Sequence, residues 1–170
     1  ASGRSAAPCA RTDHRAFTSI PVCDSVTTLA RLLDLGIAPY LATSAIVRVV
    51  AQRLWRRICK SCAAPYEPSI PELTLFRKLG GEDKDVWLRG TGCQFCANTG
   101  YFDRVGVYEV LAISDEMRQC VIEGRPIKAA RELAEAQGMR SLQTEALAMV
   151  ADDITTIEEV VKHVLVSEGF

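Results

Sequence analysis

Histidine is nearly absent from this sequence. Only His14, in an irregular leading stretch, and His163, near the end of the last apolar repeat, occur in 170 residues. Both read as surface residues, so a Ser-His-Asp relay has no evident base, and no pair of carboxylates is marked out as acid and base. A phosphate-cradling loop is also missing. The pattern Gly-x-x-x-x-Gly-Lys-Ser/Thr, whose backbone amides and lysine surround phosphates, occurs nowhere. Gly80-Gly81 does not fit it, and Gly90-Thr-Gly92 runs directly into a cysteine. No catalytic residue is therefore assigned. Charge of one sign is lacking too: 20 Lys and Arg face 21 Asp and Glu, for a net charge of -1, which leaves no broad field to attract nucleic acid or anionic lipid. The longest uncharged stretch rich in apolar residues, Leu35–Val47, contains Pro39 and is too short to span a bilayer. No internal repeat and no secretory signal is read, so reduced cysteines and a cytoplasmic setting are expected. The 48% hydrophobic and 24% charged content is that of a folded protein, large enough for one medium domain or two small ones.

Cysteine, by contrast, is plentiful and patterned. Four of the seven form two tight pairs, Cys59-Lys-Ser-Cys62 and Cys93-Gln-Phe-Cys96, each followed by alanine, Ala63 and Ala97. Two Cys-x-x-Cys knuckles supply the four thiolates of a tetrahedral Zn²⁺ site, and the small residue behind each lets the chain fold back beneath the sulfurs. Thirty residues separate the pairs, more than the usual 15–20 of a compact ribbon. A disulfide framework fits poorly with an odd cysteine count, and a redox Cys-x-x-Cys would need only one pair. Four thiolates leave no open position for water, so a structural ion is expected over a hydrolytic one. Cys9, Cys23 and Cys120 read as ordinary, with Cys120 a small buried apolar residue in a helix.

Along the chain, residues 1–24 look like an irregular arm. Asp24 is a candidate N-cap for a helix carrying Val26, Leu29, Ala30 and Leu33, which Gly36 stops. Pro39 opens the next element, in which Ile46, Val50, Leu54 and Ile58 stand four apart; the spacing predicts a helix whose basic end (Arg48, Arg53, Arg56, Arg57, Lys60) complements its dipole. Between the cysteine pairs, Ile70–Leu79 is a short helix opened by Pro71 and closed by Gly80-Gly81. The β-branched and aromatic run from Gly100 to Ile113 predicts a strand pair, with Asp103 in its turn. Three or four short helices follow. Ser114 caps one that Gly124 ends; Pro126 opens one presenting Ile127, Ala130, Leu133 and Ala134, closed by Gly138; Leu142, Leu147 and Val150 mark a third. Thr155-x-x-Glu158 reads as a capping box before the stripe Ile157, Val160, Val161, Val164 and Leu165.

Taken in order, several runs resemble the C-terminal part of bacterial type II secretion and type IV pilus assembly ATPases (the secretion pathway protein E family). They are Arg31-Leu-Leu-Asp-Leu-Gly-Ile-Ala-Pro-Tyr-Leu41, Val50-Ala-Gln-Arg-Leu54, the two knuckles, Ala97-Asn-Thr-Gly-Tyr101, Arg104-Val-Gly-Val-Tyr-Glu-Val-Leu111, Gln137-Gly-Met-Arg-Ser-Leu142 and Ile154-Thr-Thr-Ile-Glu-Glu-Val160. The resemblance covers roughly residues 24–165. It implies a mainly α fold with a small β element, the helical C-terminal portion of a RecA-like motor with an inserted tetracysteine zinc module. Cys59, Cys62, Cys93 and Cys96 match that module's four ligands position by position. It further implies a cytoplasmic hexamer in the full-length family, peripheral at the inner membrane through a polytopic platform protein and an adaptor.

The departures shape the expectation. The family's phosphate loop and acidic boxes lie upstream of anything here, and its histidine box, Thr-Leu-His-Thr-Asn-Asp, is replaced by Ser19-Ile-Pro-Val-Cys-Asp24, with Pro21 in the histidine's place and Cys23 in the asparagine's. Residues 1–18 do not resemble the core strands. A truncated piece with a foreign leader, or a degenerate remnant, is expected, and in neither case an enzyme: ATP belongs to the full-length family. The expected layout is an arm over 1–24, two core-derived helices over 25–58, the zinc module over 59–100, a strand pair over 101–113 and a helical subdomain over 114–170. A zinc-ribbon nucleic-acid binder is the alternative, motivated by the Arg48–Lys60 cluster and opposed by the net charge and by the few aromatics expected to be exposed near the knuckles.

Overall fold

The computed structural model describes residues 16–167, with side chains to residue 163. His14, Cys9, most of the expected arm, and the side chains of Val164 and Leu165 lie outside the described residues. In chain order the elements are α1 (Ser25–Asp34), α2 (Pro39–Ala45), β1 (Arg48–Ile58), β2 (Ala63–Tyr66), α3 (Ile70–Lys78), β3 (Trp87–Gly90), β4 (Tyr101–Ala112), α4 (Asp115–Ile122), α5 (Ile127–Ala136), α6 (Leu142–Ala151) and α7 (Ile157–Ser167). Among the described residues, β1 pairs with β4, and β2 pairs antiparallel with β3. Among the described residues, seven helices and a small β component agree with a mainly α fold.

Helix ends form where the caps predict. The Asp24 carboxylate accepts from the Thr27 amide at 2.7 Å, and the Ser114 hydroxyl accepts from the Met117 amide at 3.1 Å. Glu72 reaches back to the Ser69 amide at 2.7 Å, closing a capping box ahead of Pro71. At the last helix the cap is shifted by one residue from the expected box: the Thr156 hydroxyl accepts from the Glu159 amide (3.3 Å), while the Thr155 hydroxyl donates to the Arg56 carbonyl (2.9 Å).

Two expectations are corrected. The element after Pro39 is a helix only to Ala45; residues 48–58 are strand. A spacing of four is shared by both periods, because Ile46, Val50, Leu54 and Ile58 fall on one side of a helix and equally on one side of a strand. The alternating exposure of 48–54 selects period two, and in that setting Val50 and Leu54 face solvent. The basic residues therefore have no helix C-terminus to complement. Nor are residues 101–113 a strand pair: they form one long strand whose partner lies some fifty residues upstream, and Asp103 adopts φ +69° within it. Asp tolerates the left-handed region, so the turn signal was real but local.

The chain divides into two compact units. One contains the residues up to Ala51 with Glu109–Ser141; the other contains Gln52–Tyr108 with residue 142 onward. The first is centred on Val26, Leu29, Leu111, Ile113, Met117, Cys120, Ala130 and Ala134, with Leu32, Ile37 and Ala42 in a smaller cluster. Within it, the buried Glu109 carboxylate accepts from the Ser25 amide (2.8 Å) and from the Ser25 hydroxyl, at the positive end of α1. The second is centred on Trp55, Phe76, Trp87, Val107, Ala146, Val150, Ile157 and Val160, with Phe76 and Trp87 meeting edge to face at 5.3 Å.

Candidate metal centre

The long spacing between the cysteine pairs is explained by the second unit. β2 begins at Ala63, directly behind Cys62, and β3 ends at Gly90, just ahead of Cys93. Their register pairs Ala63 with Gly90 and Tyr66 with Trp87, so the ribbon brings its two open ends, and with them both knuckles, to one place. Helix α3 is an insertion in the far connection. The ribbon end is fixed by backbone bonds. Thr91 donates its amide (3.0 Å) and hydroxyl (3.1 Å) to the Cys62 carbonyl, the Cys59 amide donates to the Gly100 carbonyl (3.0 Å), and the Asn98 amide donates to the Cys93 carbonyl (2.8 Å).

Two glycines make the crossing possible. A Cβ on Gly90 would come within 1.9 Å of the Gly100 carbonyl oxygen, and Gly100 itself has φ +76°. The second knuckle turns through Ala97 (φ +51°) and Asn98 (φ +60°), and the Thr99 hydroxyl donates back to the Cys96 carbonyl at 2.6 Å.

All four cysteine sulfurs lie within 4.8 Å of one another. Three Sγ···Sγ separations are 3.7 Å (Cys93–Cys96), 3.8 Å (Cys62–Cys96) and 4.0 Å (Cys59–Cys93). A disulfide requires about 2.05 Å, so these sulfurs are not bonded to each other. Four thiolates at about 2.3 Å from one ion stand about 3.8 Å apart at the tetrahedral angle. The donor set and its spacing therefore fit a tetrahedral, sulfur-ligated metal ion. Cys59 and Cys96 are buried, Cys62 and Cys93 half-buried. Burial opposes the Cys96 thiolate, but amide donation from Cys93 and Gly100 outweighs it and brings the thiol down to about 6. Burial pushes Cys62 up to about 11, reinforced by the neighbouring sulfurs. The cage thus favours negative charge at one sulfur and crowds it at another, which a cation at the centre relieves.

Other sequence candidates fall elsewhere. Cys120 is buried in the core of the first unit and Cys23 is exposed; neither joins the cluster. Asp24 caps α1 and pairs with Arg131 at 3.0 Å, and Pro21 is exposed. His163 is not a plain surface residue: its Nε2 lies 3.3 Å from the buried Glu159 carboxylate and its ring 6.0 Å from Trp55. Glu159 is held mainly by Arg56, through the Arg56 Nε (2.9 Å) and amide (3.1 Å). Burial opposes its charge, yet the Arg56 bonds keep it below the usual carboxylate range. Arg56 also covers the Tyr101 ring at 4.0 Å, which ties β1 and α7 to the base of the knuckle module. The sequence pattern did not reveal the adjacency of Phe95 and Phe102, whose ring centres stand 4.2 Å apart with both rings exposed. The expectation of few exposed aromatics near the knuckles is thereby corrected: the knuckle turn and the start of β4 leave both rings in solvent.

A pair of knuckles closed by an antiparallel ribbon brings four thiols together in a tetracysteine cluster that could hold a metal ion. The chain that carries it belongs to the Type II/IV secretion system protein family, whose model matches residues 4–162. It is 31% identical over 160 residues to the type IV pilus assembly ATPase PilB of Thermus thermophilus, covering 92% of this chain and 18% of that protein. It is 34% identical to the type II secretion system protein HxcR of Pseudomonas aeruginosa, covering 89% of this chain and 28% of that protein. It is 32% identical to the type II secretion system ATPase E of Vibrio cholerae, covering 89% and 30%. The chain thus spans less than a third of the length of these relatives. No described helix is long and apolar enough to cross a membrane.

Proposed function

We propose that this chain is the metal-stapled C-terminal region of a type II secretion or type IV pilus assembly motor, with a structural and coupling role in protein export and no ATP hydrolysis of its own. The observation that carries the reading is the convergence of Cys59, Cys62, Cys93 and Cys96 to sulfur separations of 3.7–4.0 Å within a chain of this family. Zn²⁺ is the proposed ion, since four thiolates in a tetrahedral cage select it. Its bond to each sulfur would fasten residues 59–62 and 91–100, a stretch whose only buried apolar-class side chains are Cys59 and Cys96. The metal would supply cross-linking and charge neutralisation; the chain supplies amide donors, from Cys93 and Gly100, to the Cys96 sulfur.

In the whole motor, this module would sit at the inner membrane through platform and adaptor proteins, in a cytoplasmic hexamer assembled by the ATPase core. The replacement of the family's histidine box by Ser19-Ile-Pro-Val-Cys-Asp24 supports a passive role for this chain in nucleotide chemistry. Elemental analysis coupled to native mass spectrometry tests the central reading. One zinc per chain after purification without chelator is expected; a metal content near zero sinks it. Saturable ATP binding or turnover by the isolated chain would overturn the passive role.

A further inference from the structure

The second knuckle holds an unusual residue at its tip. Phe95, between the two ligating cysteines, is 62% exposed, and its ring leans on Phe102, itself 47% exposed, at a centre distance of 4.2 Å and a 37° tilt. Neither ring enters the core of the second unit. Two large apolar side chains stacked on each other in solvent are a costly arrangement for a free surface, and such pairs mark contact sites.

The two limbs of the module are rich in positive charge. Residues 53–62 and 89–104, the two limbs of the module, hold six of the chain's 20 Lys and Arg but only one of its 21 Asp and Glu, Asp103. Among the described residues, Arg57, Lys60 and Arg104 enter no ion pair, and Lys60 and Arg104 are exposed. Their placement follows from the fold. Lys60 sits within the first knuckle, which shares its sulfur cluster with the knuckle of Phe95; Arg57 and Arg104 stand two residues from Cys59 and Phe102. Asp103 is turned onto the backbone, its carboxylate accepting from the Arg104 amide at 2.7 Å. Arg56 is offset by Glu159, with which it pairs at 2.5 Å, which leaves Arg57, Lys60 and Arg104 among the cations without an ion pair here.

We propose that the Phe95–Phe102 pair with Lys60, Arg57 and Arg104 is a docking surface for an acidic peptide segment that carries apolar side chains. The proposal deepens the coupling role above and rests on the metal-stapled module. Apolar anchors surrounded by basic residues match a partner of opposite charge with apolar residues spaced between its carboxylates. Single-stranded nucleic acid fits less well. Binding a single strand by stacking requires several ring platforms along a basic track, whereas the module offers this one pair.

The test uses the whole chain loaded with zinc and fluorescence anisotropy against three labelled probes: a short peptide alternating Glu with Phe and Leu, the same peptide with Lys in place of Glu, and oligothymidine. The Glu peptide is expected to bind and to weaken with added salt. The double variant F95A/F102A is expected to lose about tenfold or more in affinity while keeping its zinc, and Lys60→Glu to lose less. Equal binding of the Glu and Lys peptides, tighter binding of oligothymidine, or undiminished binding by F95A/F102A overturns the proposal. So does a concentration-dependent dimer that F95A/F102A dissolves, which would make a second copy the occupant. Zinc content is measured on the same samples: full zinc without peptide binding removes the docking surface alone, whereas no zinc removes the reading beneath it.

Discussion

The two units of this chain are held together by different physics. In the first, helices α1, α4 and α5 and the end of β4 bury a contiguous set of aliphatic side chains, with Met117 fully enclosed, and one buried carboxylate, Glu109, anchors a helix start. In the second, an aromatic core around Trp55, Phe76 and Trp87 supports a knuckle segment that has almost no apolar side chain of its own to bury. Apolar burial dominates the former; the latter adds four converging sulfurs and backbone crossings where burial runs out. On the proposed reading a metal would close that irregular chain, because metal binding free energy becomes folding free energy.

The difference can be broken most forcefully by removing the metal. Chelation, or Cys93→Ser, is expected to cost on the order of 10 kcal/mol of local binding free energy. Hydrogen exchange should then rise across residues 59–66 and 87–100 and stay low in 115–136; an equal rise in both would show that the units are not independently held. The complementary change is Met117→Ala, expected to cost about 2–5 kcal/mol in urea unfolding of the first unit while leaving metal content unchanged.

Glycine substitutions sharpen the contrast at smaller scale. Gly90→Ala places a methyl against the Gly100 backbone and is expected to cost about 3 kcal/mol and to lower zinc affinity. Gly124→Ala, at φ +66° with open space around it, is expected to cost only about 1 kcal/mol and to leave zinc affinity alone. The smallest effect is the acid response. The carboxyls of Asp24 (first unit) and Glu159 (second) are both held below their ordinary values, despite burial, by hydrogen bonds and charge from Thr27 and Arg131, and from Arg56. Each therefore contributes stability above the ordinary carboxylate values of 3.8 and 4.5 that is lost as pH falls through the lower folded values. Both tryptophans, Trp55 and Trp87, lie in the second unit, so their fluorescence reports that unit alone. Glu159→Gln should flatten its acid transition, whereas Asp24→Asn should not alter it.

Much of this was legible in local signals. The caps at Asp24 and Ser114, the opening Pro71 and the stops at Gly36, Gly80, Gly124 and Gly138 act within a turn of their own position, and each helix they bound is present. The two cysteine pairs declared their chemistry through spacing. Where one pattern served two structures, the residues did not decide. Ile46, Val50, Leu54 and Ile58 suit a helix or a strand, and only the pairing of β1 with β4 makes residues 48–58 a strand. Asp103 offered a turn that the long strand absorbed as a single left-handed residue.

Residue order alone specified most helix starts and stops, the two Cys-x-x-Cys pairs and the family, because each depends on neighbours a few positions apart or on a motif repeated in sequence. Tertiary structure decided the rest. It joined knuckles thirty residues apart through the β2–β3 register, set Arg56 against Glu159 and Tyr101, and left Phe95 and Phe102 stacked in solvent. The knuckles and the Arg56 partners lie far apart along the chain, so no local preference encodes that they will meet; Phe95 and Phe102 meet only because the second knuckle turns the chain back between them.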